Sequence, residues 1–560
     1  MHYQSAYSNN SDASPWVAIT KARNVGAYIQ DEFNLESNFT LTYGVRFDMP
    51  YIANEGSHND LVDGMTFVDE KGNAKKLSTS KVPKPVVMIN PRVGFNYDIN
   101  GDKSVQVRGG IGMFTGRPPF VFISNQMGNN GVMSGDYISS GNASGNFAFS
   151  PKIPQSLPVT ITPGTVAPTF SIAPTDENFK FAKILRSNLA VDAKLFGSVI
   201  GSAEILYTQN INAIYYYNAN LKPSTATNID GTKDDRAIFN QLPNGTLNAS
   251  NQFPTVAVPS SNLNRINTRV TDAITLKSGP LGGSFMTTLK LEKPIKSQGF
   301  GWMAAYTFGY SRDYVDASST QTTSYNSNKS INGNNNVGIA FSDYDTRNRL
   351  ITNINYRKEL NKNVAVQFSL FYEGRNQGRF SYTYSGDRNG DGVGSNNDLL
   401  YIPTASEVAS MKFETYTPSG GTSKSQAMQR EALENYISQD KYLSRRRGEY
   451  AERNGVLMPT INRFDISAVV ELSRFFGKEK HTLQLRADIF NVGNLINSNS
   501  GVSYVANATS PIQFRAIDNA TNLPVYRMVA VGDNINYSTY RKGTGIGDVW
   551  QAQFGIRYIF

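Results

Sequence analysis

The residues best spaced for chemistry lie in the stretch from Asp387 to Asp398, DRNGDGVGSNND. Asp387, Asn389 and Asp391 alternate, Gly392 follows, and Asp398 closes the loop. Oxygen donors at alternate positions can wrap one hard cation while a glycine permits the sharp turn, as in a calcium loop. Two features oppose this. Asp398 is shorter than the usual closing Glu, and no helix pattern flanks the loop. The competing reading is an Asp/Asn/Gly turn that hydrogen-bonds its own backbone.

Other groups are less specific. Arg445, Arg446 and Arg447 could bind anionic lipopolysaccharide or an acidic ligand, or pair with Glu449 and Glu452 nearby. Tyr215, Tyr216 and Tyr217 could stack on sugars, or pack as anchors. Gly109, Gly110 and Gly112 in VRGGIGMF lack the helix that a dinucleotide fingerprint needs, and read as strand glycines. Asp98–Asp102 reads as a hairpin turn. There is no Cys and only 3 His, at His2, His58 and His481. Disulfides, thiolate zinc sites, Cys nucleophiles and a His-based triad are not expected, nor is an enzyme.

The elements that would carry these residues are strands. Trp550, Ala552, Phe554, Ile556, Tyr558 and Phe560 share one face of the C-terminus, opposite Gln551, Gln553, Gly555 and Arg557. The same period of two runs through 41–48, 185–194, 302–311, 364–373, 465–472 and 483–489. These runs reach about ten residues, enough to cross a bilayer when tilted and longer than the mean soluble strand. Composition agrees: 11% aromatic, only 18% charged, mean hydropathy -0.38. No run of 18 apolar residues and no secretory signal is present, and a net charge of +9 without a long basic block predicts no nucleic-acid partner.

Connections alternate between short (near 36–38, 99–103, 196–198, 296–298, 360–363 and 477–480) and long (51–86, 118–177, 222–267, 317–344, 387–461 and 498–547). Outer-membrane barrels have short periplasmic turns and long external loops. The spacing predicts 13 strands, near 16–35, 39–50, 87–98, 104–117, 178–195, 199–221, 268–294, 299–316, 345–359, 363–386, 462–476, 481–497 and 548–560. Met1–Ser14 then starts outside, with residues 1–8 as the stub of a preceding outward strand. An odd count predicts further strands upstream, since an open edge in lipid is costly. Within the longest loop, 423–439 has a helical period and predicts one short loop helix, which could lid the pore or pack the loop.

The chain resembles the barrel of a TonB-dependent outer-membrane receptor of the Oar-like branch found in Bacteroidetes. The matching stretches include GAYIQDEFNLESNFTLTYGVRFDMP, NPRVGFNYDINGDKSVQVRGGIGMFTGRPPFVFISNQ, AAYTFGYSRD, NNDLLYIP, RRGEYAERNG, LQLRADIFNVGNLIN and QAQFGIRYIF. The last two before the terminal strand's neighbour, NNDLLYIP and RRGEYAERNG, carry the branch assignment. The resemblance implies an all-β, antiparallel up-and-down transmembrane barrel of 22 strands, of which residues 1–560 would supply 13 or 14. It implies that the plug and N-terminal domains lie outside this chain, and that TonB engages only through them. It further implies outer-membrane lipid, lipopolysaccharide, the barrel-assembly machinery and an unidentified external ligand as partners. Tyr558 and Phe560 would form the assembly signal. The rival functions are a non-transporting adhesin or structural barrel, and a soluble polysaccharide-binding β-protein.

Overall fold

The computed structural model describes residues 2–8, 18–116, 120–140, 169–227, 232–239, 242–260, 262–295, 297–315, 320–394, 396–477 and 479–560. Its main element is an antiparallel sheet whose central path has 13 strands in chain order. They are β1 (Ala22–Glu36), β2 (Phe39–Ile52), β3 (Met88–Asp98), β4 (Val105–Thr115), β5 (Lys183–Lys194), β6 (Ile200–Asn218) and β7 (Gly283–Lys293). Then come β8 (Gly299–Asp313), β9 (Asn348–Asn361), β10 (Val364–Asn376), β11 (Thr460–Phe476), β12 (Glu479–Phe490) and β13 (Gln551–Ile559). The meander follows from the alternation. Every pair is antiparallel, and every second side chain turns to the same face. Short turns gather at one end, such as Asp98–Ser104, where Asp98 Oδ2 accepts from Lys103 N at 2.8 Å.

Three expectations need correction. The strand expected at 268–294 is broken into Val270–Gly279 and β7, both pairing with β6. Between them Gly282 has φ +82, and a Cβ there would lie 2.3 Å from the Arg312 carbonyl oxygen. The Gly279-Pro280-Leu281-Gly282 sequence therefore takes a kink that a continuous ladder forbids. Secondly, His2–Ser8 pairs with Ser134–Ser140 apart from the main sheet, so it is not a preceding barrel strand. Thirdly, among the described residues the expected long connections hold five α-helices rather than one, and a sixth, Val492–Ile496, ends the strand expected at 481–497 early. The placement of Met1–Ser14 largely falls outside the described residues, as does 141–168 of the long connection 118–177.

The long connections pack together at the opposite end into a cap. A second sheet of six short strands is assembled from Asn244–Gly245, Val256–Ala257, Tyr384–Ser385, Lys412–Phe413, Ile512–Asp518 and Leu523–Met528. The helix Gln426–Gln439, capped by Ser425, lays Ala432, Leu433, Tyr436 and Ile437 onto it. This is where the expected helix lies, and its apolar face fills the cap core. Two further clusters join residues 52–88, 122–127, 170–181, 214–221 and 270–276.

Candidate functional site

One face of the main sheet is apolar and exposed, as Leu289, Phe368 and Ile466 illustrate. The other is polar and paved with ion pairs, some within one strand and some between strands. Arg357 meets Glu471 at 2.9 Å, Arg349 meets Glu373 at 2.8 Å, and Lys290 meets Glu292 at 3.0 Å. Arg46 forks onto Asp48, which also accepts from Asn90 at 2.8 Å. Beside that group lies a cavity of about 340 Å³, lined by Arg46, Asp48, Asn90, Arg92, Phe114 and others. A second cavity, about 430 Å³, has Asp345, Arg349, Glu373 and Arg375 in its wall. Such a face keeps water and polar solutes in contact with fixed charges along its length.

In the Asp387–Asp398 loop the carboxylates turn to backbone. Asp387 Oδ1 accepts from Gly390 N at 2.7 Å and Oδ2 from Gly392 N at 2.9 Å. Asp391 Oδ1 accepts from Val393 N at 2.8 Å, and Asp398 Oδ2 from Arg388 N at 2.7 Å. Asn389 is buried, with its Oδ1 accepting from Asp391 N at 2.9 Å. Among the described residues, no group of three or more His, Cys, Asp or Glu is arranged to hold a metal ion. Burial and then the Asp398 charge push the Asp387 carboxyl up to about 7. Burial, then Asp387 and Asp398, push Asp391 well above the usual carboxylate range.

Beside this loop sits an ion cluster that spacing did not reveal. Arg236 and Arg388 are fully buried, and Asp234 nearly so. Arg236 Nε donates to Asp234 Oδ1 at 2.8 Å, its Nη2 to the Leu399 carbonyl at 3.0 Å, and its guanidinium lies 4.9 Å from the Tyr384 ring. Tyr450 donates to Asp234 at 3.0 Å. Burial alone would raise Asp234; the two guanidiniums outweigh it and hold its carboxyl below the ordinary value. The partners are separated by up to 216 residues, so no local pattern announces them. The cluster ties the connection after β6 to the one between β10 and β11.

The other candidates are placed as follows. Arg445 is exposed. Arg446 pairs with Glu449 at 3.7 Å and Glu452 at 3.5 Å, while Arg447 pairs with Glu434 and donates to the Pro403 carbonyl. Tyr216 and Tyr217 are buried in the cap rather than offered to a sugar. Tyr558 and Phe560 stack at 5.8 Å on the edge strand β13, both exposed, with Tyr558 OH 2.6 Å from His481 Nδ1.

The sequence matches a family model described as an outer membrane beta barrel domain over residues 3–529. No curated protein matches it. Solved structures that resemble it include the ferric enterobactin receptor of Pseudomonas aeruginosa, at 10% identity and a TM-score of 0.37, covering 96% of this chain and 44% of that one. The FrpB iron transporter of Neisseria meningitidis (F3-3 variant) has 10% identity and a TM-score of 0.37, covering 90% and 44%. The outer membrane transporter YddB of Escherichia coli has 10% identity and a TM-score of 0.35, covering 96% and 54%. The chain thus spans about half the length of these structures or less.

Proposed function

The chain belongs to the outer membrane beta-barrel domain family, and from that premise we propose that it supplies the wall and cap of a TonB-dependent receptor of the Oar-like branch. The chain lies in the outer membrane. The receptor takes up an external ligand, which the cap and polar face engage on its way through. The observation that carries this reading is the polar face, with paired charges running from strand to strand beneath a cap that has its own core. On this reading the long connections face the outside and the short turns the periplasm.

The strands β1 and β13 are the two edges of the main sheet path and do not pair with each other among the described residues. Unpaired backbone in lipid is costly, so the reading includes further strands that close the barrel. Energy coupling through TonB belongs to a plug-bearing region in the same receptor. Tyr558 and Phe560 are the assembly signal on this reading. Phe560→Ala then lowers the amount of chain reaching the outer membrane, and unchanged membrane levels would remove that role.

The test of uptake is deletion of the gene in its host, with compounds in the growth medium followed by mass spectrometry. At least one compound should persist in the deletion culture, and persist equally in wild-type cells treated with a protonophore. A deletion that alters attachment to surfaces while depleting every compound normally would make the chain an adhesin instead.

A further inference from the structure

The apolar face carries two arginines at its long-connection rim that the fold leaves without a carboxylate. Arg312 follows Phe308 and Tyr310 on the outward side of β8, and its Cα partner is Phe341. Its guanidinium lies 4.7 Å from the centroid of the Phe341 ring. Arg347 lies 5.2 Å from that ring, 5.5 Å from Phe308 and 5.8 Å from Tyr310.

The nearby acids are committed elsewhere. Asp345 takes Arg379 at 2.5 Å and the Ser311 N–H at 2.6 Å. Asp313 takes Arg453 at 2.8 Å, and Asp343 accepts from Asn454 at 2.7 Å. Among the described residues, no carboxylate lies within 4.0 Å of the Arg312 or Arg347 nitrogens. Elsewhere on the sheet, cations such as Arg357, Arg349 and Arg486 are paired with carboxylates.

Stacking occupies the faces of a guanidinium and leaves its in-plane N–H donors for an oxyanion. Two such forks around one ring, which Arg379 also approaches at 3.7 Å, offer donors to the oxygens of a phosphate group. The position selects the source. Tyr306, Leu350 and Leu289, all exposed, continue the surface toward the membrane interior. A phosphate attached to acyl chains would place its charge on the arginines and its chains on these side chains. A free phosphate would gain only the first contact.

We propose that Arg312 and Arg347, seated on Phe308, Tyr310 and Phe341, clamp a phosphate of lipid A in the outer leaflet. The proposal rests on the outward orientation argued above. It concerns the lipid-facing wall, away from Arg445–Arg447 and from the ligand path.

The test compares the full chain with Arg312→Gln/Arg347→Gln, each purified from outer membranes in mild detergent. Lipid A retained per polypeptide, read by mass spectrometry, should fall about tenfold or more in the double variant. Arg312→Lys/Arg347→Lys keeps the charge without the planar fork and should fall between the two. Circular dichroism of each variant reports that the fold is kept. Delipidated wild-type chain should bind lipid A but not its dephosphorylated form, and neither inorganic phosphate nor phosphatidylglycerol at equal concentration should displace it. Equal retention by wild type and the Gln variant, equal binding of dephosphorylated lipid A, or displacement by either competitor overturns the proposal. Orientation is read separately. The chain has no Cys, so Ser423→Cys gives a unique thiol on the cap for labelling of intact cells. Failure to label would refute the orientation and the outer-leaflet clamp with it, whereas labelling with equal lipid A retention would refute the clamp alone.

Discussion

On the wall, Leu289 and Phe368 stand 56% and 55% exposed; in the cap, Leu433 and Phe413 are fully buried. Charges invert in the same way. Wall pairs such as Arg357–Glu471 keep about a quarter of each side chain open, whereas Arg236 and Asp234 in the cap keep almost none. The wall hides apolar groups in lipid and wets its polar face, so its charges cost little to keep and contribute little to stability. The cap is surrounded by water and must make its own interior, so each buried charge there depends on its partner. Neighbouring stretches of one chain therefore respond to mutation by different rules.

The largest expected effect lies in the cap. Phe413→Ala should cost about 3–5 kcal/mol of cap stability, seen as earlier proteolysis of the long connections on heating, with the wall's heat-modifiable migration in gels unchanged. If wall and cap melted together in this variant, the two regions would be one cooperative unit. Next comes the wall's lipid face. Leu289→Arg should cost about 2–4 kcal/mol in refolding into vesicles, with no change in cap proteolysis.

A smaller effect is a pH dependence confined to the cap. Asp387 has a folded value near 7, above the ordinary 3.8. The folded loop therefore holds a proton that the unfolded chain has released. Its stabilising contribution is full at low pH and is lost as pH rises from about 4 to about 7. Cap proteolysis should accelerate across that window, and Asp387→Asn should flatten the response. Millimolar calcium chloride gives a sharper reading. If the loop takes the cation that its D-x-N-x-D-G spacing fits, calcium restores resistance above pH 7 in the wild type and not in Asp391→Ala. The smallest effect is Arg357→Gln on the half-open polar face, at about 1 kcal/mol or less, checked by the same vesicle refolding.

Much of the wall was legible because its rule is local. Alternation at 302–311 and 483–489 marks β8 and β12, and the short turn at 98–104 marks where β3 ends and β4 begins. The broken strand was also signalled, by Gly279, Pro280, Gly282 and Gly283 in one short stretch, although the apolar pattern on either side reads as continuous. The helix at 426–439 showed its period as well. Short helices such as Asp60–Gly64 and Val492–Ile496 did not, because five residues are too few to display a period.

What the sequence determined by itself is the two-faced wall: period two and alternating connection lengths suffice, since each strand needs only its neighbours. Tertiary structure alone decided the cap. Arg236 becomes a buried cation only when Leu399, 163 residues away, and Tyr450 close around it with Asp234. Arg312, Arg347 and Phe341 likewise become one patch only when β8 and β9 bring their ends together. Contacts across such separations depend on which connections meet, and no local spacing encodes that.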